Sequence, residues 1–149
     1  ASEYDLKAAY ICNITKFIYW DTTSTGDEFI IGIIEPSPIH ASLSALAKAK
    51  DVHGKKIVIK KYSKLEEIDR CNILFIPEKT TIPLNLILDK ARSKGILTIS
   101  EKENNAVLGV AINFVTVDEK LRFEVNRKTL ESLGLRASAQ FLKLAVIVQ

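Results

Sequence analysis

The sequence predicts a three-layer α/β fold: a mostly parallel sheet, an antiparallel hairpin at one edge, and helices on both faces. Three observations carry this. Apolar, β-branched runs alternate with stretches of helical periodicity. The run Phe29-Ile30-Ile31-Gly32-Ile33-Ile34 is continuously apolar, as a strand covered on both faces must be. Late in the chain, two strand-like runs are separated only by residues 116–119, a spacing that joins antiparallel neighbours.

The first helix is expected from Glu3 to Trp20, with Leu6, Tyr10, Ile14, Phe17 and Ile18 as its apolar stripe. Ser2 caps it, and Asp5 stands in the capping-box position. Tyr10 and Phe17 fit the core stripe; Tyr4, Tyr19 and Trp20 partly leave it, with core packing the leading reading and a partner or dimer interface the second. Asp21 to Asp27 is small and polar and reads as a loop. After the strand at 29–34, Ser37-Pro38 opens a second helix, with Ile39, Leu43, Leu46 and Ala47 facing inward. Ile57-Val58-Ile59 is the next strand, and a short helix spans Leu65 to Asp69. Asn72 to Ile76 is a strand stopped by Pro77. Pro83 begins a helix whose inner residues are Leu84, Ile87, Leu88 and Ala91, closed at Lys94-Gly95. Ile96 to Ile99, Val110 to Val115 and Lys120 to Val125 are the remaining strands. Asn126 caps a short helix ended by Gly134, and Ser138 caps a last helix to about Ile147. Strands alternating with helices imply a flavodoxin- or Rossmann-like strand order.

At 149 residues the chain reads as one domain, residues 1–149. With 47% hydrophobic and 26% charged residues it is globular rather than disordered. No apolar run approaches the ~20 residues of a membrane span, so direct membrane insertion is not expected. A net charge of +3 does not by itself suggest nucleic acid, for which a clustered basic face is expected. The lysines Lys48, Lys50, Lys55, Lys56, Lys60, Lys61 and Lys64 lack interleaved aromatics, and they better suit a strand edge protected against aggregation. The chain has no Met and begins Ala1-Ser2, which fits a mature chain after signal-peptide removal or a trimmed one.

Catalytic chemistry is hard to find. No GxGxxG or phosphate loop follows a strand, and Glu35-Pro36 would repel a phosphate and withhold an amide donor. No cofactor is implied. The only histidines, His40 and His53, lie in different segments with no ligand spacing, and no GxSxG elbow occurs. A small-molecule crevice could use the loops at the carboxyl ends of the strands, with Glu35, Ser37, Glu78, Lys79, Thr80, Ser100 and Glu101. Cys71 precedes a strand and reads as a small buried hydrophobe; the functional alternative is a redox-sensitive thiol, or a bond to Cys12.

The two ends together carry a resemblance. Glu3-Tyr4-Asp5-Leu6-Lys7-Ala8-Ala9-Tyr10, Asn13, Lys16-Phe17-Ile18 and Trp20 open the chain. Leu121-Arg122-Phe123-Glu124-Val125-Asn126, Leu133-Gly134-Leu135-Arg136 and Ser138 to Ala145 close it. In this order and spacing they resemble the YfiR/HmsC-like family of small periplasmic regulators. Asp21 departs from the Pro that usually follows the Trp, and Glu35-Pro36 from the usual glycine-acidic turn. The resemblance implies paired cysteines, with Cys71 at a frequent family position and no partner Cys in residues 29–34.

The resemblance further implies a non-enzymatic, periplasmic homodimer. It would bind and repress the periplasmic sensor domain of a membrane-bound signalling enzyme, a diguanylate cyclase, and so control cyclic di-GMP and biofilm. The alternative is a small-ligand-binding or solute-sensing α/β module with no cyclase partner. For a partner surface the carboxyl-terminal third is the candidate, because Leu121, Phe123 and Val125 share one strand face while Arg122 and Glu124 share the other. Phe114, Glu124, Leu130 and Leu133 are the expected contact residues, with Phe114 and Leu133 equally readable as core.

Overall fold

A computed structural model describes residues 2–20 and 26–148. The expected loop Asp21 to Asp27 therefore lies outside the described residues except for its last two. Helix α1 covers Glu3–Ile14, and Ser2 Oγ accepts from Asp5 N at 3.1 Å at its start. The helix ends well before Trp20. Thr15 Oγ1 donates to the Cys12 carbonyl at 2.6 Å, a 3₁₀ turn spans Thr15–Phe17, and β1 (Ile18–Trp20) follows. A hydroxyl that bonds back to a helix carbonyl competes with the helix ladder, and the β-branched and aromatic residues beyond it fit a strand.

The buried face of α1 is also rotated from the expected stripe. Lys7, Ala8, Ile11, Cys12 and Ile14 are buried, whereas Leu6 is 47% exposed. Tyr4, Tyr10, Phe17 and Trp20 pack partly buried against the core, and Tyr19 faces solvent.

Strand β2 (Glu28–Ile34) is buried from Phe29 onward on both faces, as its sequence requires. Phe29, Ile31 and Ile33 join one core cluster, and Ile30 and Ile34 the other. Gly32 is needed at its centre. A Cβ there would sit 2.5 Å from Tyr62 Cε2 and 3.3 Å from Cys71 Sγ.

Helix α2 (Ile39–Ala47) starts one residue later than expected, with Ile39 N donating to Ser37 Oγ at 3.2 Å. Its inner residues Ile39 and Leu43 are fully buried, and Leu46 and Ala47 pack on the same cluster. Strand β3 (Asp51–Val52) makes a tight hairpin with β4 (Lys55–Tyr62), which is longer than the expected Ile57 to Ile59. Lys60 and Lys61 on β4 are exposed, in keeping with a protected sheet edge. A 3₁₀ turn at Leu65–Glu67 replaces the expected short helix and leads to β5 (Ile73–Ile76). Helix α3 (Leu84–Lys94) ends at Gly95, whose φ of 67° is the left-handed C-terminal geometry.

Then come β6 (Leu97–Ser100), a helical turn α4 (Asn105–Leu108), β7 (Ile112–Val117) and β8 (Lys120–Asn126). The hairpin between β7 and β8 turns through Asp118 and Glu119, both at positive φ. Helix α5 (Arg127–Ser132) is capped by Asn126, and β9 (Leu135–Ala137) pairs antiparallel with β1. Helix α6 (Ala139–Leu144) is capped by Ser138 but stops short of Ile147. The β-branched Val146-Ile147-Val148 instead forms β10 (Val146–Val148), parallel to β8.

Among the described residues the main sheet has eight strands in the order β10-β8-β7-β6-β5-β2-β4-β3. Its parallel centre follows the expected flavodoxin-like order. The antiparallel β7–β8 hairpin lies one strand in from the edge, because β10 covers β8. One face is covered by α1 and α2 with Leu130 and Phe141 from α5 and α6; the other is covered by α3 through Ile87 and Ala91. Phe17 stacks on Phe141 at 6.1 Å and Phe123 on Phe141 at 5.0 Å, which ties the chain's two ends into one core.

Candidate functional site: a carboxylate crevice beside the first helix

A cleft of about 550 Å³ opens where the carboxyl ends of β5 and β6 meet the start of α1 and the β7–β8 hairpin. Its centre is a buried clasp. Lys7 Nζ donates to Glu101 Oε1 at 2.7 Å and to Glu3 Oε2 at 2.6 Å. The second Glu101 oxygen accepts from the Tyr4 hydroxyl at 3.2 Å and from the Glu78 backbone N–H at 3.0 Å. The Lys7 ammonium also lies 4.8 Å from the centre of the Tyr4 ring.

These contacts set the charge states. Burial opposes the Lys7 charge, but the hydrogen bonds to Glu101 and Glu3 outweigh it, and the ammonium is held above its ordinary pKa. Burial and the Glu101 charge push the Tyr4 hydroxyl up. Hydrogen bonds from Ser42 and Ser2 hold the exposed Asp5 carboxyl below its usual value.

A second polar chain reaches the cleft from beneath. Buried Ser100 Oγ bonds Asn113 Oδ1 at 2.6 Å. Asn113 Nδ2 donates to the Lys102 carbonyl at 2.8 Å and reaches Glu124 Oε1 at 3.4 Å. Asn113 and Glu124 are direct cross-strand neighbours on β7 and β8. Glu124 is thus held from inside the sheet while lining the cleft with Glu3, Glu78 and Glu103. Val115, Val117 and Leu121 supply the apolar part of the wall. Among the described residues the lining holds no His, Cys or Ser. The arrangement presents negative charge and apolar surface, which suits a cationic, partly apolar group.

Of the expected contact residues, the structure brings Phe114 and Glu124 to this cleft. Phe114 is 2% exposed and packs against Tyr10 at 6.3 Å, so it supports the wall from within. Leu130 is buried in the main core and lines a different hollow with Leu135 and Arg136. Leu133 is half-buried beside Leu88 and Leu108, away from Glu124. Of the loop residues, Glu78 and Glu101 line the cleft, whereas Ser100 is buried beneath it. Sequence reasoning missed Lys7 and Glu3; the available signal was their i,i+4 spacing, which usually marks an exposed pair.

Cys12 and Cys71 are both free and buried, and they belong to separate core clusters. Burial pushes the Cys71 thiol up to about 12 and raises Cys12 as well. Among the described residues, no group of three or more His, Cys, Asp or Glu is placed to hold a metal ion, and no helix is long and apolar enough to cross a membrane.

Comparison with curated proteins gives no match. The pattern of one family does match, over residues 4–146, and those residues hold α1 from Tyr4 onward, the crevice lining apart from Glu3, and the β1–β9 pairing that joins the chain's ends. The chain belongs to the YfiR/HmsC-like family.

Proposed function

We propose that this protein is a non-enzymatic periplasmic regulator that binds and represses the periplasmic sensor domain of a membrane-bound diguanylate cyclase. The observation that carries the reading is family membership over nearly the whole chain. The crevice is consistent with it, since its central carboxylate is engaged by Lys7, Tyr4 and the Glu78 amide rather than left open for acid–base work.

In this reading the acidic wall around Glu124, with Leu121 and Val117 beside it, receives a basic and apolar segment of the sensor domain. Phe114 supports that wall from the core. Repression then requires tighter binding to the sensor's inactive conformation than to its active one, because a ligand shifts an equilibrium only by its differential affinity. The regulator acts as a homodimer, which sedimentation reads directly.

The test is capture from a native envelope extract, followed by measurement of cyclic di-GMP with and without the protein. Co-purification of a membrane protein bearing a cytoplasmic cyclase domain, with cyclic di-GMP rising when the regulator is removed, is the expected result. Capture of no such protein, or an unchanged nucleotide level, removes the repressor reading.

A further inference from the structure

A second hollow lies at the opposite end of the sheet, among the amino-terminal ends of the strands. It holds about 340 Å³, at the small end of ligand pockets. Its walls come from β1, the start of β2 and the β3–β4 hairpin, chiefly Trp20, Phe29, Val52, His53 and Lys55. Trp20 meets Phe29 edge to face at 5.2 Å, which fixes the indole as a rigid wall.

Two polar atoms here are buried and have no hydrogen-bond partner among the described residues: Lys55 Nζ and Trp20 Nε1. A buried ammonium without an anion or acceptor is costly, and native proteins pair such groups. Lys55 reads in the sequence as one more surface lysine of the edge strand, yet its neighbours Lys60 and Lys61 are exposed while its own ammonium is enclosed. His53 does not compensate it: its ring Nε2 lies 3.2 Å from the Thr15 carbonyl and donates there. Among the described residues no carboxylate lines the hollow. The unpaired groups are donors, one of them cationic, and the rest of the wall is largely apolar.

We propose that this hollow binds a small monocarboxylate with an apolar body, its carboxylate accepting from Lys55 Nζ and Trp20 Nε1 and its body lying against Trp20, Phe29 and Val52. The site is separate from the carboxylate crevice, shares no lining residue with it, and takes a ligand of opposite charge. It stands whether or not the repressor reading holds. Two sources fit this chemistry, a medium-chain alkyl acid and an aryl-alkyl acid, and both are used as probes.

Trp20 is the only tryptophan, so its emission reports on this wall alone. Wild-type protein is titrated with decanoate and with 4-phenylbutyrate, below micelle formation, by fluorescence and calorimetry. The matching primary amides serve as neutral controls. The expected result is saturable one-to-one binding of at least one acid, with its amide at least tenfold weaker. In Lys55→Met the acid should also bind at least tenfold weaker, while the melting temperature holds or rises because an unpaired buried charge is gone. A preference for decanoate identifies an alkyl ligand, and a preference for 4-phenylbutyrate an aryl one. Absence of saturable binding by both acids, equal binding of acid and amide, or undiminished binding in Lys55→Met would each overturn the proposal. Should Lys55→Met fail to fold, the acid-against-amide comparison on the wild-type chain decides.

Discussion

Lys7 and Glu101 lie 94 positions apart in the chain and meet at 2.7 Å, with side chains only 6% and 5% exposed. The pair fastens the first helix to the carboxyl end of β6, and it draws Tyr4 and the Glu78 amide into the same knot. Removing one member of a buried pair leaves the other charged and enclosed, which costs more than the pair itself is worth. Glu101→Gln keeps an acceptor for Tyr4 and the Glu78 N–H but strands Lys7 with Glu3 alone, and it should cost about 3 kcal/mol in urea unfolding. The double variant Lys7→Met with Glu101→Gln should recover most of that loss, to within about 1 kcal/mol of wild type. Additive losses in the double-mutant cycle would mean that the two residues are not coupled.

The same pair sets an alkaline limit on stability. Its hydrogen bonds raise the folded Lys7 pKa above the ordinary 10.5, so the contribution is complete below about pH 10.5 and is lost as pH climbs through the raised value. Tyr62 and Cys71, both pushed by burial to about 12, lose stability in the same direction above their ordinary values of 10.0 and 9.0. The melting temperature should therefore fall steadily from about pH 9 toward pH 12. The Lys7→Met, Glu101→Gln variant should fall less steeply above pH 10.5, because it lacks the lysine that loses its proton there. Parallel curves for the two proteins would assign the whole alkaline loss to the buried hydroxyl and thiol.

Burial makes a distinct statement about the thiols. With the Cys71 thiol near 12 and Cys12 raised as well, neither supplies much thiolate at pH 8. Both should resist N-ethylmaleimide in the native protein and react fully after unfolding without reductant, as free thiols do. A mass two daltons low under those conditions would reveal a bond between them, which their placement in separate clusters argues against.

Gly32 and Tyr62 occupy one space between them. An alanine Cβ at Gly32 would lie 2.5 Å from the Tyr62 ring and 3.3 Å from Cys71 Sγ, in the middle of a strand held on both sides. Gly32→Ala should cost about 1–3 kcal/mol through overpacking. Adding Tyr62→Leu, which removes the ring edge, should make the alanine less costly than it is in wild type. If Gly32→Ala is equally harmful in both backgrounds, the strain comes from the backbone rather than from Tyr62.

The central strands were legible because burial on both faces forces a continuous apolar run, and Phe29 to Ile34 shows one plainly. So was helix α3, whose period and left-handed Gly95 agree. The short strands β1, β9 and β10 were not legible. Each has three residues, and their pairings join positions such as Trp20 and Leu135 that only the folded chain brings together. Helical spacing continues by chance through Phe17 and Ile18, so the sequence offers no mark where α1 stops. The buried Lys7 was hidden for the same reason. Its local neighbour Glu3 reads as a surface partner, and nothing near it in sequence announces Glu101. Glu78 and Glu101 were therefore visible as loop carboxylates, while the helix residues that organise the crevice were not.

Glu124 offers the sharpest test of the crevice as a docking wall. It is half-buried, is held by Asn113 from within the sheet, and sits beside Val146 on the neighbouring strand. A reversal to lysine changes the wall's charge with little core disturbance, so Glu124→Lys should melt within a few degrees of wild type. Binding to the isolated periplasmic domain of the proposed cyclase partner should weaken at least tenfold, about 1.4 kcal/mol, with the loss largest at low salt where opposite charges steer and hold the partner. Leu130→Ala is the informative contrast. That residue is 3% exposed in the core, so its effect should appear as about 2–5 kcal/mol of lost stability, and the protein that remains folded should bind normally. Unweakened binding by a folded Glu124→Lys protein would move the partner surface away from the crevice.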